Sequence, residues 1–224
     1  VIYFASELKA LAVLPDFPRR ICHRAVRSYL TLGYVPSPFS IYEDARKLAP
    51  GHFLSVSPEG PATPVRYWNF PRYTADGGGS LEEWGERLRT LLKASVKRRL
   101  LADVPLGVFL SGGLDSSSLT ALMSELEPGN VQSFSVAFSE KTFDESTFSR
   151  QVAGALETQH HEQTLDPATT LEVIEPLYRR LDEPLADAAL IPTYLLSRFA
   201  RQKVTVALAG EGADELLGGY PTYF

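Results

Sequence analysis

Apolar and polar positions follow two regimes along the chain. As far as Phe70 the pattern is mixed: residues 1–5 read as a buried strand, 21–32 as an amphipathic helix, 36–38 as a Pro-rich turn, and 51–56 and 65–68 as short antiparallel strands. Residues 71–80 lose all periodicity and carry Gly77, Gly78 and Gly79 in a row, which predicts a flexible linker between a domain at 1–70 and another at 81–224. Beyond it the pattern turns regular. Ser80 and Glu83 have capping-box spacing, and Leu81, Trp84, Leu88, Leu91, Leu92, Val96 and Leu100 recur at threes and fours, predicting a helix with one buried face. A strand is then expected at 106–110, a helix at 116–126, a strand at 131–138, a helix at 144–156 and a polar strand at 160–164. Helices at 168–181 and 190–201 and an apolar strand at 204–209 complete the series. Strands alternating with helices imply an α/β fold with a parallel sheet covered on both faces and ligands at the carboxyl ends of its strands. The loops after Leu110, Phe138 and Ala209 should therefore share one rim.

Composition narrows the function. With 224 residues, 44% hydrophobic and 22% charged, the chain can bury a core, which excludes disordered, collagen-like and coiled-coil classes. A formal charge of −5 argues against non-specific attachment to nucleic acid or anionic membrane. One cysteine excludes a disulfide scaffold and a zinc ribbon and suits a reducing, cytoplasmic setting. The longest apolar runs, 105–110 and 204–209, are strand-length, so neither a membrane span nor an export signal is expected. Because Val1 opens directly on a strand-like run, a truncated amino terminus is also expected.

Two short stretches carry the chemistry. Residues 111–117 read SGGLDSS between a strand and a helix, where main-chain amides and the positive end of a helix dipole converge on an anion. Gly112 and Gly113 let phosphate oxygens approach the backbone, and Ser111, Ser116 and Ser117 add hydroxyls. Neither a Walker-type Gly-Lys pair nor a dinucleotide fingerprint is present. Asp115 beside a phosphate needs an intervening cation, which points to Mg²⁺. A lone Ser-Gly-Gly would be better explained by a plain turn and helix cap, and it is the whole string in this position that reverses the preference. The second stretch, residues 210–220 (GEGADELLGGY), places Glu211, Asp214 and Glu215 on the same rim. Carboxylates there suit an ammonium group, a magnesium ion or a nucleophile that must lose a proton, although Asp214 and Glu215 could also be solvated residues opening a helix.

SGGLDSS resembles the PP-loop of ATP pyrophosphatases. Together with GEGADELLGGY, FSVAF at 134–138, FDES at 143–146 and DEPLAD at 182–187, in that order, it resembles the glutamine-hydrolysing asparagine synthetases over essentially the whole chain. YFASELKAL at 3–11, YVPSP at 34–38 and APGH at 49–52 look like the end of that family's glutaminase domain. The resemblance implies a Rossmann-like sheet of the adenine nucleotide alpha hydrolase type, preceded by the antiparallel remnant of an Ntn-type glutaminase domain. It also implies that ATP and aspartate form β-aspartyl-AMP and pyrophosphate, and that ammonia from glutamine displaces AMP. Carried onto this chain, Ser111, Gly112, Gly113, Asp115, Ser116 and Ser117 would cradle pyrophosphate, with Asp115 on Mg²⁺. Leu110 and Val136 would line the adenine site, and Ala209 and Gly210 would touch the nucleotide through backbone. Glu211 would support formation and aminolysis of the adenylate, Asp214 would hold the substrate amino group, and the longer parent would be a homodimer.

Some positions depart from the family. Ala209 stands where a hydroxyl residue is usual, and Ala188 and Ala189 follow Asp187 where hydroxyls are common. The family's downstream lysine and its amino-terminal cysteine are not in this sequence, so the chain by itself is expected to be inactive. A related amide-forming enzyme of the β-lactam synthetase kind and a non-catalytic ATP-binding module are the alternatives. Cys22, beside His23 in a helical pattern, reads as a buried inert thiol. His160 and His161 should point to opposite faces of a strand as structural residues. Asp182 and Glu183 before Pro184 read as a helix end or as further rim candidates.

Overall fold

The computed structural model describes residues 1–71, 78–139 and 144–223, so most of the linker expected at 71–80, and Phe143 of FDES, lie outside the described residues. The chain divides into two compact units, Val1–Gly77 with Glu175–Ala188, and Gly78–Ile174 with Ala189–Phe224.

In the first unit, helices α1 (Leu8–Ala12) and α2 (His23–Leu32) precede four two-residue strands, β1 (His52–Phe53), β2 (Val56–Ser57), β3 (Gly60–Pro61) and β4 (Val65–Arg66). β1 pairs with β4 and β2 with β3, both antiparallel. α2 ends where Gly33 turns left-handed at φ 79° and donates its N–H to Tyr29 O, the usual way an αL glycine closes a helix. The strand expected at residues 1–5 does not form: Val1 and Phe4 are fully or almost fully exposed, and no strand pairs with the segment among the described residues. Apolar character supplies a face, but a strand also needs a neighbour for its amides and carbonyls. Cys22 is half-buried and sits at the N-cap of α2, before the helix begins, rather than inside it as a buried thiol.

Asp182 and Glu183 serve this unit. Asp182 accepts the N–H groups of Leu8 at 2.8 Å and Lys9 at 3.1 Å, supplying partners for the orphan amides that open α1. Glu183 accepts Ile41 N at 2.7 Å and pairs with Lys47 Nζ at 2.5 Å, while Lys47 also donates to Val35 O. The reading of these two carboxylates as rim candidates thus gives way to a structural role.

The second unit is an α/β layer structure. Its elements are α3 (Leu81–Arg99), β5 (Leu106–Phe109), α4 (Leu114–Leu126), β6 (Gln132–Phe138), α5 (Ser146–Ala155) and β7 (Gln159–Leu165). They continue with α6 (Pro167–Tyr178), which runs into the first unit's segment, then α7 (Leu190–Ala200), β8 (Val206–Leu208), α8 (Ala213–Leu217) and a 3₁₀ turn, Pro221–Tyr223. The sheet is parallel throughout, in the order β7-β6-β5-β8. From β5 the chain steps outward through β6 to β7 and returns to the other side of β5 for β8. This reversal makes a topological switch point between β5 and β8.

Both faces of the sheet are covered. Val108 and Phe109 alternate, so Val108 packs with Val96, Leu122, Met123 and Val131 beneath α3 and α4. Phe109 joins Phe134, Leu196, Phe199, Ala200 and Val204 beneath α7. The capping box of α3 is formed: Ser80 accepts Glu83 N at 3.2 Å and Glu83 accepts Ser80 N at 2.8 Å. The continuous buried face expected for α3 is not. Val96 is 4% exposed and Leu100 packs on the core, but Leu81 is 85% exposed and Trp84, Leu88, Leu91 and Leu92 are also exposed. Only the carboxyl half of α3 meets the core, its middle being tied to α4 by Arg89 and Lys93 on Glu125. Periodicity marks which side of a helix is apolar and says nothing about how far its neighbour extends. Among the described residues no helix is long and apolar enough to cross a membrane.

Candidate functional site

A cavity of about 380 Å³ opens at the carboxyl ends of the parallel strands. Leu110 and Ser111 follow β5, and Asp115 and Ser116 open α4. Val136 comes from β6, and Ala209, Gly210, Glu211 and Asp214 come from the segment after β8. These nine positions, each expected from sequence to belong to the site, line one cavity. Gly112, Gly113 and Ser117 do not line it, and Ser117 Oγ is buried with no hydrogen-bond partner among the described residues.

The turn after β5 has a backbone that requires glycine at position 112. Gly112 adopts φ 88°, and a Cβ there would lie 2.6 Å from the backbone of Phe148 and Ser149 on α5, so both conformation and space require glycine. Two serines tie the turn together: Ser116 Oγ accepts Ser111 N at 3.2 Å, lies 2.9 Å from Ser111 Oγ and donates to Gly113 O at 3.2 Å. Ser111 Oγ in turn accepts Gly113 N at 3.2 Å. Gly113, the N-cap of α4, has no side chain to offer, which leaves the first amides of a 13-residue helix directed out of its amino end.

The segment after β8 crosses this helix start at the switch point. A Cβ on Gly210 would lie 3.1 Å from Asp115 Cβ and from Ser116 N, so the two loops run in contact. Gly212, at φ 89°, caps the short α8, whose first turn carries Asp214 and Glu215. Asp214 O accepts Gly218 N at 2.9 Å and Gly219 N at 3.0 Å, and a Cβ on Gly219 would collide with Asp214 Oδ1. Tyr220 closes the motif by donating its hydroxyl to Glu215 Oε1 at 2.9 Å, and that bond pushes the phenol up to about 12.

Electrostatically the cavity is one-sided. Asp115, Glu145, Glu211 and Asp214 line it, and no lysine or arginine does among the described residues. An anionic ligand would need the main-chain amides of the α4 start and a bound cation. Among the described residues no group of three or more His, Cys, Asp or Glu is preassembled to hold a metal. Sequence reasoning passed over Ser135, Phe138, Glu145, Thr193, Leu196 and Tyr220, which also line the cavity. Ser135, Phe138, Glu145 and Tyr220 fall within motifs already noticed, whereas Thr193 and Leu196 sit on α7 with no local signal at all. His160 and His161 do point to opposite faces: His160 hydrogen-bonds Ser133 and Ser135, while the His161 ring lies 5.1 Å from that of Phe134.

Comparison with known proteins shows what the chain is similar to. The chain is 34% identical over 224 residues to asparagine synthetase [glutamine-hydrolyzing] 1 of Bacillus subtilis (strain 168), covering 99% of this chain and 34% of that protein. It is 36% identical over 226 residues to putative asparagine synthetase [glutamine-hydrolyzing] 2 of Methanocaldococcus jannaschii, covering 98% of this chain and 43% of that protein. A putative asparagine synthetase [glutamine-hydrolyzing] of Mycobacterium bovis matches at 34%, covering 98% of this chain and 34% of that protein. The chain thus spans between about a third and two fifths of the length of these curated relatives. A glutamine amidotransferase domain model matches residues 1–68. The asparagine synthase model matches residues 87–224, well over half the chain and all of the cavity just described, and the chain belongs to the asparagine synthase family.

Proposed function

We propose that this chain forms part of an enzyme that converts aspartate to asparagine through β-aspartyl-AMP, consuming ATP and taking nitrogen from glutamine. The observation that carries the reading is the meeting of the SGGLDSS turn and the GEGADE segment in one cavity at the switch point between β5 and β8. A carboxylate oxygen is a poor leaving group and AMP a good one, so amide formation needs a site that holds the triphosphate and an acidic rim that handles an amine. The cavity has both kinds of wall.

In this reading the amides opening α4, with Ser111 and Ser116, hold the pyrophosphoryl end, and the Ser111–Ser116 hydroxyl pair keeps the turn in shape. Gly112 shapes the turn's backbone, Gly113 leaves the first amides of α4 uncapped, and the buried Ser117 hydroxyl, without a partner among the described residues, is a further donor toward the pyrophosphate. Leu110 and Val136 flank the adenine, and Ala209 and Gly210 meet the nucleotide through main chain. Mg²⁺ fits as the positive charge that this acidic lining lacks, with Asp115 as its protein contact; the ion would neutralise the phosphates it accompanies. Glu211 orients ammonia or takes its proton, and Asp214 binds the substrate ammonium group. Residues 1–70 then belong to the amidotransferase domain and 81–224 to the synthetase domain, joined at 71–80. The partition of the chain between Gly77 and Gly78 supports that boundary, with Glu175–Ala188 grouped with the first unit. A cytoplasmic location goes with ATP and aspartate as substrates.

The test is pyrophosphate release from ATP with aspartate by the full-length protein. Asp115→Asn and Ser116→Ala are each expected to reduce it by roughly 10²-fold or more, on the scale of losing one preorganised charge-stabilising group. Unchanged release in both variants would overturn this assignment of the phosphate site.

A further inference from the structure

Behind the cavity wall lies a buried seam of hydroxyls that none of the roles above uses. Ser133, Ser135, Ser146 and Ser149 are all nearly or fully buried between the sheet and α5. Buried hydroxyls need partners, and one side chain supplies a partner to both Ser133 and Ser135. His160 of β7, opposite Ser133 in the parallel register, has Nδ1 2.8 Å from Ser133 Oγ and Nε2 3.2 Å from Ser135 Oγ. Ser133 Oγ also lies 2.7 Å from Thr158 Oγ1, and Ser149 Oγ donates to Ser146 O at 3.0 Å while lying 3.4 Å from Ser135 Oγ.

Of the two serines on the imidazole, only Ser135 also lines the cavity, next to Val136. A neutral imidazole gives one proton and accepts one, so it holds its two hydroxyls in a fixed donor and acceptor sense. Burial keeps the ring on the neutral side by pushing its pKa down; Glu162 opposes this, and His161 and Arg150 reinforce it.

We propose that His160 is a positioning residue for nucleotide binding: through Nε2 it fixes Ser135, and with it the Ser135–Val136 stretch of β6 that forms the cavity wall. The proposal rests on the reading that this cavity takes ATP. It predicts that affinity for ATP follows the Nε2 contact and not the Nδ1 contact of the same ring.

Asparagine and glutamine separate the two contacts, since an Asn amide reaches about as far as Nδ1 and a Gln amide about as far as Nε2. In the full-length protein, ATP dissociation constants and pyrophosphate-release kinetics would be measured for His160→Asn, His160→Gln and Ser135→Ala. His160→Asn and Ser135→Ala are expected to weaken ATP binding about 3- to 10-fold, the range of one lost hydrogen bond, with kcat at saturating ATP changed less than about 2-fold. His160→Gln is expected to restore affinity to within about 2-fold of wild type, although both His160 variants lose similar thermal stability. The Ser135→Ala/His160→Asn double variant should be no weaker than either single one. Equal ATP affinity in wild type, Asn and Gln variants, or affinity that follows the melting temperature instead of the Gln rescue, would overturn the proposal. Failure of the wild-type protein to bind ATP would overturn the functional reading beneath it, a result distinct from unchanged variants of a protein that binds.

Discussion

The two loops that meet at the switch point have the same form and opposite chemistry. Each leaves a strand of the same parallel sheet, passes through a positive-φ glycine, Gly112 or Gly212, and enters a helix. The first enters a 13-residue helix that buries Leu122 and Met123 in the core, presents amides and hydroxyls, and keeps its shape through its own serines. The second enters a five-residue helix with nothing buried and presents Glu211 and Asp214. The difference separates two tasks: a rigid, electropositive turn suited to a polyanion, and an acidic segment on a lightly anchored element suited to amines and proton transfer. Gly210, packed on Asp115 and Ser116, is where one task meets the other.

Breaking the rigid half should have the largest effect. Gly112→Val demands a disfavoured φ and drives a side chain into the α5 backbone at 2.6 Å, so a loss of stability of about 3 kcal/mol or more is expected in urea unfolding of the full-length protein. A stable variant would show that the turn is not held as described. Next comes Glu211→Gln, for which asparagine formation from ammonia should fall by roughly 10²-fold while ATP affinity stays within about 3-fold. Loss of ATP affinity with intact chemistry would reverse the assignment of the two loops. Gly210→Ala, where the neighbours need yield only a few tenths of an ångström, should weaken ATP binding by about 10-fold, equivalent to about 1.4 kcal/mol. Affinity as in wild type would mean that the loops do not press on each other.

The smallest effect concerns Tyr220. Its phenol, raised from an ordinary 10.0 to about 12 by donating to Glu215, should appear as the difference between ultraviolet titrations of wild type and Tyr220→Phe. Because the folded value is raised, the bond's contribution to stability is fully present below pH 10 and fades as pH climbs through 12. A Tyr220 that ionises near 10 would mean that the bond to Glu215 is not made.

Much of the second unit could be read directly from its residues. Apolar runs such as 106–110 and 131–138 sit between helical periods, so a parallel sheet followed from connection rules, although its strand order did not, and the glycines of both loops marked where backbone must bend. The missing pieces share one physical cause, which is that they depend on a partner remote in sequence. Asp182 and Glu183 looked like a helix end because their partners, Leu8, Lys9, Ile41 and Lys47, lie more than a hundred residues away. The exposed first half of α3 and the unpaired residues 1–5 are apolar segments whose neighbours the pattern could not report on. Within the site, Ser135 and His160 read as polar positions in strands, and only the register of β6 against β7 shows that they share a buried seam.

A crystal structure of the full-length protein grown with Mg²⁺ and a non-hydrolysable ATP analogue would decide where the triphosphate lies. The two-loop arrangement predicts its phosphates against the amides that open α4, beside Ser111, Ser116 and Asp115, with the acidic segment after β8 facing the α-phosphate. Phosphates bound elsewhere on the chain, with that turn empty, would contradict it.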